Sequence, residues 1–167
     1  MITDTTNGAA TNAATTAPRS TNASVAAAMA ADTGSSPRQA MQLAISRRSE
    51  PRYIEGRRTF FQYRDLGVTD ATHGRARAQV TSARAGMTQA TGWHWHVCDM
   101  QFVYILRGWV DLEFEECGLV RLGPGDSVLI PGGLPHQEVQ TSDDLELLEY
   151  SIPADMGTRA CEAPAAR

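Results

Sequence analysis

Residues 93–108 read Trp93-His94-Trp95-His96-Val97-Cys98-Asp99-Met100-Gln101-Phe102-Val103-Tyr104-Ile105-Leu106-Arg107-Gly108. In an extended strand, residues two apart share one face at a separation of about 7 Å. His94 and His96 can therefore converge on one ion from a single rigid element. Trp93 and Trp95 alternate with them and are expected to point the other way, under another layer or at a dimer interface. Phe102 to Leu106 is apolar on both faces, as in a strand with a barrel core on one side and another layer on the other. Tyr104 is expected in the core, and Cys98 as an inert thiol near a turn.

Working outward, Arg107-Gly108 and Gly123-Pro124-Gly125-Asp126 mark turns suited to antiparallel hairpins. Between them Val110, Leu112 and Phe114 alternate with Asp111, Glu113 and Glu115, which predicts a strand with one wet face. The wider texture is of short β-branched and aromatic runs separated by Gly, Pro and Asp. Strands are placed near 59–66, 75–84, 93–97, 101–107, 109–115, 118–122, 127–130, 136–140 and 145–152. Many strands without long helices point to a sandwich or jelly-roll barrel.

A second histidine motif follows in Pro131-Gly132-Gly133-Leu134-Pro135-His136, where the Pro and Gly turn fixes the entry of the next strand. Three neutral imidazoles around a divalent cation, with the remaining positions left to water or substrate, form an open site suited to Lewis-acid or oxygen chemistry. If the strand after His136 is regular, Glu138 and Gln140 share its face. That would bring the Glu138 carboxylate into the barrel as a general base, against the plainer reading of an exposed Glu beside a bulge. Arg75 and Arg77 share one face of an early strand and could meet a substrate carboxylate, although a solvated face is the default. His73 lies outside both motifs.

The spacing Gly125-x5-Pro131-x-Gly133-x2-His136-x3-Gln140 closely resembles the second cupin motif, with Gln140 where Asn is usual. His94-x-His96, then Gln101, then Gly108 resembles the first, with Gln101 standing where the family usually has a metal-binding Glu. The leading glycine is out of register, Gly92 lying two residues before His94. The resemblance runs from about Arg75 to Pro153. It implies an all-β, cupin-type antiparallel jelly-roll barrel, commonly paired into a homodimer. It also implies one divalent transition metal on His94, His96 and His136, with Gln101 coordinating directly, holding a metal-bound water or acting from behind the ligands.

Because an amide brings no charge, such a site keeps the full double charge of its ion and favours an anionic or enolisable chelating small molecule. Cupins of this kind include dioxygenases acting on diketones, flavonols and thiols, and metal-dependent cyclases. The first expectation is an iron(II) dioxygenase with the three histidines as ligands and Gln101 as auxiliary. An oxygen-independent isomerase, cyclase or lyase using zinc, manganese or nickel is the second. A non-catalytic ligand-binding module using the same pocket is the third.

Composition bounds the rest. The chain has 167 residues, enough for one domain of ordinary size. Its formal net charge of -4 contains no Lys/Arg block able to neutralise phosphates, so nucleic acid is not an expected partner. The three cysteines lack paired spacing, which fits a reducing cytoplasm. No stretch approaches the length of a membrane span. Residues 1–35 are nearly all Ala, Thr, Asn, Ser and Gly with almost no large apolar side chain, and are expected to form a disordered tail. Residues 36–58 are read as a short helix and lead-in, the helix capped by Ser36-Pro37-Arg38-Gln39 and ending before Pro51. The barrel is expected over 59–155, and a C-terminal tail over 156–167.

Overall fold

Period-two alternation recurs along the chain, and in the computed structural model, which describes residues 39–56 and 58–165, the regular secondary structure is nearly all strand. In chain order the elements are β1 (Arg52–Ile54), β2 (Phe61–Asp65), α1 (Val68–Ala71), β3 (Arg77–Ala83), β4 (His94–Val97), β5 (Met100–Arg107) and β6 (Val110–Phe114). They continue with β7 (Gly118–Leu122), β8 (Ser127–Pro131), β9 (His136–Thr141), β10 (Glu146–Ile152) and β11 (Gly157–Ala160). Two sheets result, in the orders β1-β2-β3-β10-β5-β8 and β11-β4-β9-β6-β7, and every pairing is antiparallel. This is the all-β jelly roll expected, with each of the nine expected strands present. The sheets also take in β1 and β11, which lie outside the 59–155 span.

The core lies between the sheets. Val103 and Ile105 of β5 and Val110, Leu112 and Phe114 of β6 are 0–6 % exposed, and they pack with Phe61, Ile130, Leu145 and Leu147. Alternation places these side chains on the inner faces. Two tight approaches fix the hairpins. A Cβ on Gly132 would lie 1.7 Å from the Cys98 carbonyl oxygen, so the β8–β9 turn can pass over the β4–β5 turn only without a side chain. Gly108 combines a φ of +69° with a Cβ position 2.2 Å from Ser142 Oγ.

Several local expectations are corrected. The first residues of the expected N-terminal helix, Ser36 to Arg38, lie outside the described residues, and from Gln39 to Arg47 no helix is present. The backbone there bonds outward instead: the Gln42 N–H donates to the Ala71 carbonyl, and the Ser46 hydroxyl donates to the Asp65 carbonyl. Among the described residues the helix found is the single turn α1. Tyr104 is not core, since it stands on the outer face of β5 and is 38 % exposed. The outer face of β6 is not uniformly wet: Arg121 on β7 donates two bonds to Asp111, of 2.7 and 2.8 Å, and covers it. The same guanidinium lies 3.8 Å above the Trp109 ring.

Candidate metal centre

β4 and β9 run side by side with His94 directly opposite His136, and His96 follows on the same face of β4. The three imidazoles are 1–4 % exposed, with ring centroids 4.6–5.1 Å apart. One ligand nitrogen from each ring lies within 4.8 Å of the others. His94 Nδ1 is 2.8 Å from the Gly92 carbonyl oxygen and His136 Nδ1 is 2.9 Å from that of Leu134. A carbonyl only accepts, so both Nδ1 atoms carry the hydrogen and both Nε2 atoms keep a lone pair. His96 Nδ1 lies 3.2 Å from the Thr158 hydroxyl of β11, a strand whose short polar sequence gave no signal. Oriented neutral imidazoles are the donor set a late first-row divalent ion takes, and the three residues fit it.

Gln101 begins the inner face of β5 and lines the same cavity. It is 6 % exposed, and its Oε1 has no hydrogen-bond partner among the described residues. An orphaned buried acceptor on a cavity shared with His94 and His136 suits an ion or its bound water.

β9 carries a bulge: Leu112 opposes Glu138 while the adjacent Asp111 opposes Gln140, leaving Val139 as the extra residue. The interruption falls after Glu138. Glu138 therefore keeps the face of His136 and lines the cavity, whereas Gln140 turns out and is exposed. Glu138 Oε2 lies 3.7 Å from His94 Nε2 and accepts a 2.5 Å bond from the Thr91 hydroxyl. Burial presses this carboxyl upward, but positive charge at His94 and the Thr91 bond outweigh it and hold the group below the usual carboxylate range, so the lowering belongs to a cationic His94 and not to the neutral ring that would bind a metal.

The cavity holds about 490 Å³ and is walled by both sheets. Trp93 lines it, contrary to the expectation that both tryptophans turn away, because β4 starts only at His94 and Trp93 stands at its entrance. Arg58 also lines it, its Nη2 donating to the Thr91 carbonyl at 3.5 Å, a contribution not foreseen from sequence. Arg77 does not offer a free guanidinium. It donates to Glu149 Oε1 at 3.2 Å, and Gln79 Nε2 donates to the same oxygen at 3.2 Å. Arg75 is engaged by the Thr72 and Gln39 carbonyls. His73 stands apart from the cavity, its Nε2 within 3.0 Å of the Ala40 carbonyl. No helix among the described residues is long and apolar enough to cross a membrane.

Residues 85–152 match the family model described as Cupin domain. No curated protein sequence matches the chain significantly. Among solved structures, the polyketide cyclase RemF from Streptomyces resistomycificus is 19 % identical, with a TM-score of 0.58 over 73 % of this chain and 87 % of its own. KdgF from Halomonas sp. is 19 % identical, with a TM-score of 0.52 over 66 % and 94 %. A variant of Streptomyces PAC13 solved with uridine is 15 % identical, with a TM-score of 0.51 over 74 % and 95 %. At these identities the likeness is one of fold. Two antiparallel sheets, both histidine motifs in order and the matched segment agree, and residues 85–152 are similar to a cupin domain.

Proposed function

We propose that this protein is a metal-dependent enzyme acting without oxygen on a small, chelating, enolisable substrate, with Glu138 as the proton acceptor. The supporting observation is the seat of Glu138: a carboxylate inside the cavity, 3.7 Å from a histidine of the triad and oriented by Thr91. His94, His96 and His136 would hold the ion, and Gln101 Oε1 would serve it or its bound water. A divalent ion there supplies Lewis acidity, drawing charge from a carbonyl or enolate oxygen. The Thr91 hydroxyl fixes the Glu138 rotamer, so the ionised oxygen is aimed before substrate enters. Arg58 gives an anionic substrate a cation to meet. Phe61, Val103, Ile130 and Leu147 line the cavity with apolar surface and limit water.

Iron(II) dioxygenase chemistry is the second reading, favoured by a triad of neutral imidazoles that leaves coordination positions open. Acetylacetone in D2O separates the two. Under argon, the metal-loaded protein is expected to catalyse exchange of the central C–H, followed by NMR, and Glu138→Gln to reduce the rate about a hundredfold. Oxygen uptake matched to diketone loss, with exchange untouched by Glu138→Gln, would establish the dioxygenase instead. We also propose a homodimer through the outer face of β5 and β8, where Tyr104, Leu106 and Leu129 are 38–54 % exposed.

A further inference from the structure

The wall facing the histidines carries polar groups that the proposed proton transfer does not use. Thr81 on β3 lines the cavity and is 3 % exposed, and its hydroxyl has no hydrogen-bond partner among the described residues. Glu149 on β10 lines the same cavity at 6 % exposure. Arg77 and Gln79 both donate to its Oε1, and no described residue donates to its Oε2. The register pairs Thr81 with Leu147 and Gln79 with Glu149, so Thr81 and Glu149 are diagonal neighbours on adjacent strands, about 7 Å apart.

A buried unpaired hydroxyl at Thr81 destabilises the fold relative to the isosteric valine, while Glu149 Oε2 is left accessible to a ligand. Their neighbours on the inner wall include Leu147, Ile105 and Val103, so nothing about barrel packing demands polar groups there. Bracing by Arg77 and Gln79 fixes Glu149 in one orientation without consuming it. Facing sheets lie about 10 Å apart. A six-membered ring with a chelating head at one end and a hydroxyl at the other spans that gap.

From these observations we infer that Thr81 and Glu149 form a hydroxyl-recognition subsite, selecting substrates that carry a hydroxyl on the end remote from the metal. The hydroxyl donates to Glu149 Oε2 and accepts from the Thr81 hydroxyl. The inference rests on the metal-centre reading for the position of the chelating head.

A matched pair of probes tests both levels. Kojic acid and allomaltol share one hydroxypyranone chelating head and differ only in the terminal hydroxyl. Titrated calorimetrically into zinc-loaded protein, kojic acid is expected to bind about tenfold tighter than allomaltol. Thr81→Val and Glu149→Gln should each erase that preference while leaving allomaltol affinity and zinc content at the parent values. Thr81→Val should melt at or above the parent temperature, which guards against misfolding of the Glu149 variant. Equal affinities in the parent, as when a trapped water satisfies both residues, or a preference that survives both variants, overturns the subsite and leaves the metal centre standing. If neither probe binds the loaded protein, the reading of a chelating substrate on that metal falls and the subsite with it.

Discussion

Each histidine of the triad depends on an acceptor or hydroxyl behind it. His94 and His136 use carbonyls two residues earlier in the chain, so the local turn orients each ring, whereas His96 looks to Thr158 on β11. Thr158→Val should weaken metal affinity by about tenfold or more, measured by competition with a chelating dye, with the fold intact by circular dichroism. Thr91→Val should leave metal content unchanged but lower kcat for C–H exchange about tenfold, because Glu138 loses its fixed rotamer. The histidines were legible in the sequence because period-two and turn-to-histidine spacings are short-range signals. Thr91, Thr158, Thr81 and Glu149 were not, since each reaches the cavity through pairing between distant segments. Glu138 was legible only as an alternative: its side depends on a one-residue bulge, and the sequence does not show whether the bulge falls before or after it.

At the level of elements, the strands followed their alternation closely, and the errors fell where a partner strand changed the environment. The polar face of β6 was read as wet, yet Arg121 on β7 closes over Asp111. Its hydrogen bonds with Arg121 hold the Asp111 carboxyl below its ordinary value. A carboxyl depressed in the folded state stabilises above its unfolded pKa of about 3.9, and the contribution is lost as pH falls toward the folded value. Asp111→Asn should therefore flatten the acid limb of stability, by under about 1 kcal/mol because Arg121 is largely exposed. Urea midpoints between pH 6 and pH 3 measure this. Gly132→Ala should act through sterics: with the Cys98 carbonyl in the way, the β8–β9 turn must move, costing about 2 kcal/mol or more and shifting His136. Its metal content should fall along with its melting temperature. Strands β1 and β11 escaped the sequence reading because three or four residues are too few to show a period.

Over the whole described chain, two sheets close over a pocket that sets a few polar groups among apolar walls, and an apolar patch on β5 and β8 faces outward. Phe102 to Leu106 was correctly read as apolar on both faces, but within the described chain no second layer covers the outer one. Leu129→Lys is expected to shift the protein from dimer to monomer in light scattering, without moving metal content. Binding of an ion to the native state alone adds about 2.7 kcal/mol at a hundredfold excess over Kd, so loading should raise the melting temperature by several degrees. The direct test of the triad is elemental analysis of protein purified without affinity metal or chelator, beside His96→Ala handled identically. About one equivalent of a divalent transition metal per chain, lost in the variant, is the expected result. A parent protein that retains none, even after anaerobic loading with iron, zinc, manganese or nickel, would contradict a metal centre on His94, His96 and His136.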